Sequence, residues 1–362
     1  MTREVEVAII GAGPAGLSAA IEASKAGAKG IIIDENNRAG GQLFKQIHKF
    51  FGSRAHQSGT RGFDIGRNLL NEVQALGCEV MLETVAWGIF ENNTISIYSQ
   101  KINTLIAAKR ILLATGASEN IIAFPGWTLP GVMGAGAIQT LINIHRVLPG
   151  KRVLMIGSGN VGLIVSYQLL QAGAKVLAII EALPQISGYT VHASKIARAG
   201  VPILTGHTIK EAMGTTKVDK ASIIALDHCF RHIPGTEREI DVDVICLACG
   251  LSPLAELAWL AGCRFTFIPE LGGFLPVHDS DMQTTVHGIY IAGDIAGIEE
   301  ASTAIEEGRL AGISIAESLG YLSELEAKKK KLAIVERIMQ LREGPLGRKK
   351  REAKEVLMRG SQ

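Results

Sequence analysis

An α/β fold containing two strand–turn–helix units is what the sequence predicts, and three observations predict it. A glycine turn, Gly11-x-Gly13-x-x-Gly16, joins an apolar run to a small-residue helix near the start of the chain. The same arrangement recurs at Gly157-x-Gly159-x-x-Gly162. The chain also carries 41 glycines against 11 prolines without a collagen-like period, which suits a fold with many tight strand-to-helix turns. Its 362 residues suffice for two domains with a core each, and 47% hydrophobic with 20% charged residues excludes a disordered chain.

Taken in order, Val5–Ile10 reads as a buried parallel strand and Leu17–Ala26 as a helix closing at Gly27. Gly30–Glu35 is the next strand, ending in the two acids Asp34 and Glu35 and completing a βαβ unit. A helix is expected over Gly62–Leu76 and strands over Glu79–Leu82, Thr94–Tyr98 (antiparallel) and Lys109–Gly116, the last ending in a glycine turn. The Pro- and Gly-rich stretch Phe124–Gly131 marks a boundary. The pattern then restarts, with strand Arg152–Ile156, helix Leu163–Ala172, and strand Val176–Ile180 leading to Glu181. A further buried strand ends at Gly293-Asp294, followed by a helix over Glu299–Leu319.

Each glycine of the turn has a task. Gly11 permits the tight bend, Gly13 lets a pyrophosphate approach the backbone, and Gly16 lets helix and strand pack closely. The helix that the turn opens, with Pro14 and Ala15 between its glycines, offers unpaired N–H groups and the positive end of its dipole. Asp34, 23 residues after Gly11 and with Glu35 beside it, is placed to accept hydrogen bonds from an adenosine ribose. The second turn is equally complete, with Asn160 and Val161 inside it and Glu181 as its ribose acid. An acid there favours NAD over NADP, because a 2′-phosphate would be repelled. Glu181 follows Gly157 by 24 residues, one more than the first spacing. NAD(H), another adenine nucleotide and an empty, vestigial fold therefore all stay open for the second site.

The net charge of +2 argues against nucleic-acid binding by bulk electrostatics. The excess is concentrated after Leu319, where twelve Lys or Arg face six Glu. No apolar run is long enough for a transmembrane helix, and the first apolar run leads into the glycine turn instead of a cleavage site. Five scattered cysteines fit free thiols in a reducing cytoplasm. Cys246 and Cys249 match Cys-x-x-Cys, yet they lie in the apolar run before Gly250 and read as core residues, not as a redox pair at a helix N-terminus. His48, flanked by Lys45 and Lys49, faces either a cofactor or partner, or only solvent.

Gly40-Gly41-Gln42, Ala114-Thr115-Gly116 and Gly293-Asp294 resemble the motifs of the two-dinucleotide-domain flavoproteins, which include thioredoxin and glutathione reductases. The resemblance implies two Rossmann-like domains, the second inserted in the first. Their spans would be 1–120 and 282–320 for an FAD domain, 121–281 for the insert, and 321–362 for a charged helical tail. It further implies that FAD is held at Gly11, Gly13, Pro14, Ala15, Gly16, Asp34, Glu35, Gly41, Gln42, Val85, Ala114, Thr115, Gly116, Gly293, Asp294 and Ala301, with Asp294 on the ribityl chain. The alternative for Asp294 alone is a helix N-cap.

Longer strings, Gly41–Gln46, Ala114–Glu119, Phe124–Trp127 with Leu129–Val132, and Gly188–His192, are similar to the FAD (α or A) subunits of several heteromeric enzymes. These are sarcosine oxidase, opine oxidase, dye-linked proline dehydrogenase and hydrogen cyanide synthase. That resemblance implies an electron-transferring subunit of an amine or amino-acid dehydrogenase, partnered by a second flavoprotein subunit and a small iron–sulfur protein. Many such subunits end in a cysteine-rich [2Fe–2S] domain; here no cysteine follows Cys263, so a cluster would sit on another polypeptide. A stand-alone NAD(P)H-dependent reductase and a non-catalytic nucleotide-binding subunit are the rival functions. The tail, Ser323–Met358, has apolar residues at Leu325, Leu332, Ile334, Val335, Ile338, Met339 and Leu341 among charges, a helical spacing broken at Gly344-Pro345. Four roles stay open for it: docking on a partner, docking on its own body, contact with anionic lipid, or a solvated helix.

Overall fold

A computed structural model describes residues 2–359. The chain divides into two compact units, one formed by 1–118 with 252–362 and the other by 119–251.

The first unit begins with β1 (Thr2–Ile10), α1 (Pro14–Ala26), β2 (Gly30–Ile33), α2 (Gly62–Ala75) and β3 (Glu79–Met81). These strands pair in parallel, β1 with β2 and β2 with β3. Then come β4 (Val85–Phe90), β5 (Thr94–Ser99) and β6 (Ile102–Leu113), joined as an antiparallel meander. β6 is long for a reason. One edge runs parallel to β1 along most of its length, while the other carries β5 on its first half. Its last three residues remain available on that second edge. Short β7 (Ala117–Glu119) follows.

The second unit has a parallel five-stranded sheet. Its strands are β8 (Val132–Gly134), β9 (Arg152–Ile156), β10 (Lys175–Glu181), β11 (Ile203–Thr205) and, later, β15 (Val244–Leu247), in the order β11-β10-β9-β15-β8. Helices α3 (Ala135–Thr140), α4 (Asn160–Gln171) and α5 (Thr190–Arg198) connect them, and β12 (His207–Met213), β13 (Lys220–Ala225) and β14 (Arg238–Asp241) form an antiparallel layer. Every residue of β15 is buried, Cys246 fully. The inserted unit ends at Leu251, not at 281, because β15 is the last strand added to its sheet.

The chain returns through β16 (Leu251–Pro253), α6 (Glu256–Leu260) and the hairpin β17 (Phe265–Ile268)–β18 (Gly273–Pro276). β19 (Ile289–Ile291) then takes the vacant end of β6, pairing with Ile111–Leu113. This places Gly293-Asp294 at the same sheet edge as Gly11 and Ala114. α7 (Ala301–Ser318) is almost wholly buried and crosses α1 through Gly308 and Gly312, where a Cβ would run into the backbone of Ala15 and Ala19.

The tail folds onto its own unit. α8 (Glu324–Leu341) opens with a capping box of Ser323 and Glu326 and buries Ala327, Ile334 and Ile338. α9 (Gly344–Arg359) buries Ala353 and Leu357 against Ile268, Leu271, Leu275 and Val277. Among the described residues, no helix is long and apolar enough to cross a membrane.

Candidate functional site

The first site forms where β1 turns into α1. Gly11 sits at φ +107°, and a Cβ there would strike the Ala114 carbonyl, so β6 can lie close beside the turn. Gly13 is the N-cap of α1 and Pro14 its first residue; no side chain caps the helix and its first turn holds no acid. Over Gly13 lies Gly41, whose Cβ would come within 2.8 Å of the Gly13 Cα. The loop is tied down by Gly40, which donates its N–H to the Ala12 carbonyl at 2.8 Å. Gly13 and Gly41 thus form a cradle free of side chains at a helix N-terminus, as a pyrophosphate requires.

Asp34 and Glu35 separate in the structure. Asp34 is buried, and its Oδ2 accepts the Ala12 N–H at 2.6 Å while Oδ1 accepts both N–H groups of Asn36 at 2.8 and 2.9 Å. Glu35, next to it, is exposed. Asp34 therefore shapes the glycine turn from below, and Glu35 is the acid that faces outward.

Asp294 lies in the 3-10 turn Gly293–Ala296 and is not the N-cap of α7; Glu300 holds that place. Burial pushes the Asp294 carboxyl up to about 6, and neighbouring Glu307 adds to the rise. Gly293 sits at φ +78°, and a Cβ there would come within 3.0 Å of the Ala15 Cβ, so the turn lies beside the start of α1. Among the other expected residues, Ala114 is buried and Gly116 is open on the side a Cβ would take. The Thr115 hydroxyl donates to the Leu254 carbonyl, Gln42 and Val85 are exposed, and Ala301 begins α7.

The second turn repeats the first bond for bond. Gly11 and Gly157 donate to Ile33 and Ile180 at 2.8 Å, Ala114 and Ala248 donate to Ile10 and Ile156 at 2.8 Å, and Gly188 donates to Ser158 as Gly40 does to Ala12. Gly159 caps α4 with no side-chain bond, and Gly162 meets the Gly157 carbonyl as Gly16 meets that of Gly11. Asn160 accepts the Tyr189 N–H at 2.8 Å, and Val161 is 42% exposed.

This superposition of bonds explains the extra residue before Glu181. The register of β10 on β9 shifts between Val176 and Ala178, so Leu177 is bulged out. Glu181 then occupies the place of Asp34, accepting the Ser158 N–H at 3.0 Å. It also accepts from the hydroxyls of Ser158 and Ser187 and from the Leu183 N–H. Burial raises its pKa, but these bonds outweigh that and hold it below the ordinary carboxylate value. The counterpart of outward-facing Glu35 is Ala182. The second site thus has the turn and the supporting acid, without an outward one.

All five cysteines are free, burial pushes the Cys246 thiol far up and that of Cys249 up to about 11, and neither is a ready thiolate. What the sequence did not single out is the ring of charges behind Asp294: Glu299, Glu307, Arg342 and Lys354. A lysine in a basic tail carries no local signal that it will be buried.

A model of the pyridine nucleotide-disulphide oxidoreductase family matches residues 5–308. The A subunit of opine oxidase from Rhizobium meliloti (strain 1021) is 32% identical over 86% of this chain and 71% of its own length. Hydrogen cyanide synthase subunit HcnB of Pseudomonas aeruginosa is 27% identical over 96% of this chain and 79% of its own. Among solved structures, L-proline dehydrogenase from P. horikoshii matches with TM-score 0.69 and 24% identity, over 92% of this chain and 59% of that one. Thioredoxin reductase from T. acidophilum matches with TM-score 0.72 and 22% identity, over 88% and 99%. The fold is that of the two-dinucleotide-domain flavoproteins. The chain belongs to the pyridine nucleotide-disulphide oxidoreductase family and is an FAD-dependent oxidoreductase without a redox-active disulfide.

Proposed function

We propose that this chain is the electron-transferring FAD subunit of a heteromeric dehydrogenase acting on an amine, an amino acid or a related small metabolite. The observation that supports this is the Gly13–Gly41 cradle at a helix N-terminus, with the Asp294 turn beside it, in a protein whose five cysteines are all free. The pyrophosphate is assigned to the Gly13–Gly41 cradle, the adenosine ribose to Glu35 and the ribityl chain to Asp294. FAD when bound supplies the two-electron chemistry. The protein's residues bind and orient it, and the uncapped start of α7 places positive potential near its reduced form. With no dithiol to receive them, electrons pass to a partner's cofactor (a second flavoprotein or a small iron–sulfur protein) or to a nicotinamide on the second unit. Relatives named as subunits support the heteromeric assignment. Free thiols support a reducing, cytoplasmic setting.

The chain purified alone is expected to show the visible absorption of oxidised flavin and to bleach slowly, or not at all, with anaerobic NADH. Slowness follows from Ala182, which leaves the second site without an outward ribose acid. Rapid stoichiometric bleaching would replace this reading with the stand-alone reductase, and a colourless protein would end the FAD assignment.

Asp294→Asn separates binding from stability. The folded carboxyl keeps its proton to about pH 6, whereas the unfolded chain releases it near the ordinary value of about 4. Between those values the folded state holds the extra proton, so the flavin-free protein loses stability as pH rises through that window. The variant is expected to flatten that slope in thermal melts while weakening FAD at least about tenfold. Retained flavin content would refute the role given to Asp294.

A further inference from the structure

Glu307 joins the tail to the Asp294 turn. Its Oε2 accepts the Gly293 N–H at 3.1 Å, and its Oε1 accepts from Lys354 Nζ at 2.7 Å and Arg342 Nη2 at 2.9 Å. Arg342 also grips Glu299 through Nη2 at 2.6 Å and Nε at 3.0 Å. All four side chains are 9% exposed or less, and Lys354 only 2%. The Lys354 stem passes under Gly297, where a Cβ would come within 3.1 Å of its Cε. Ile298, at the end of the turn, donates to the carbonyl of Leu271, against which α9 packs. The turn carrying Asp294 is therefore held at Gly293, Gly297 and Ile298, each time through the tail or a residue it covers.

Stability alone is a poor reason for this arrangement. Lysine is rarely buried, and a buried ion pair is often no more stabilising than apolar residues of the same volume. α9 already has an apolar contact in Ala353 and Leu357. Two cations brought to two anions behind the flavin turn do something apolar residues would not: they set the charge and the backbone position at that point.

We propose that Lys354 and Arg342, delivered by the C-terminal helices, are positioning residues for the flavin, holding Glu307 on the Gly293 amide and offsetting its charge. The proposal rests on the assignment of FAD to this site. Loss of the lysine leaves Glu307 with one cation fewer, which loosens the turn and disfavours negative charge on reduced flavin.

The test uses the full-length chain stripped of flavin, titrated with FAD by fluorescence quenching and then poised against redox dyes. Lys354→Met is expected to bind FAD about tenfold more weakly and to have a more negative midpoint potential, with Lys354→Arg near wild type in both. Should Lys354→Met not fold, Lys354→Gln is measured in its place; it keeps a donor to Glu307 without the charge and is expected to show the same direction of potential shift. Wild-type affinity and potential in the folded uncharged variant would overturn the proposal, even if its melting temperature falls. A wild-type apoprotein that takes up no FAD would instead overturn the flavin assignment itself.

Discussion

Gly16→Val is expected to yield a protein without flavin, less stable by about 3 kcal/mol, while Gly162→Val is expected to keep its flavin. A Cβ on Gly16 runs into the Gly11 carbonyl and comes within 3.2 Å of the Ile9 side chain, so α1 must move away from β1. That movement pulls the helix N-terminus from the Gly13–Gly41 cradle and disturbs the contact of α1 with Gly308 and Gly312 of α7. A Cβ on Gly162 would likewise run into the Gly157 carbonyl in the second unit and come within 3.3 Å of the Ala248 Cβ, so its replacement damages that unit's turn alone. Flavin-to-protein ratios and thermal melts of the two variants decide the matter. Normal flavin in Gly16→Val, or its loss in Gly162→Val, would place the flavin in the other unit or in neither.

Glu307→Ala is expected to cost about 3–5 kcal/mol, the typical penalty for removing one partner of a buried ion pair. It leaves Lys354 buried with its nearest remaining ion-pair partner, Glu299, 3.8 Å away, and deprives the Gly293 N–H of its acceptor. Glu307→Gln keeps that acceptor and should cost less. Denaturant unfolding of both variants measures the difference. A loss below about 1 kcal/mol for Glu307→Ala, the range of exposed pairs, would mean that α9 is not docked in solution.

The elements richest in local signal are legible in the residues alone. The apolar runs at Val5–Ile10 and Arg152–Ile156, each followed by spaced glycines, mark the two turns because that geometry permits no Cβ at Gly11, Gly16, Gly157 or Gly162. The placement of Cys246 and Cys249 in or beside a buried strand is legible from the apolar run around them. The roles of the acids are less so. Spacing makes Glu181 look displaced, but the bulge at Leu177 absorbs the extra residue, and a bulge leaves no mark in an apolar strand. Spacing also favours Asp34 over Glu35 as the ribose acid, whereas hydrogen bonds from Ala12 and Asn36 turn Asp34 inward. The end of the insert at Leu251 depends on which sheet a strand joins, and such pairings are non-local.

The first glycine turn, its repetition and the lack of a usable dithiol were determined by the sequence by itself, because each follows from residue type and near neighbours. Only the tertiary structure decided which acid faces outward, that Asp294 is buried in a turn instead of capping a helix, and that the basic tail closes on Glu299 and Glu307. The physical reason is the same in all three. A charged side chain takes its role from the donors and burial that distant segments bring to it, and for Glu307 those donors, Arg342 and Lys354, are 35 and 47 residues away.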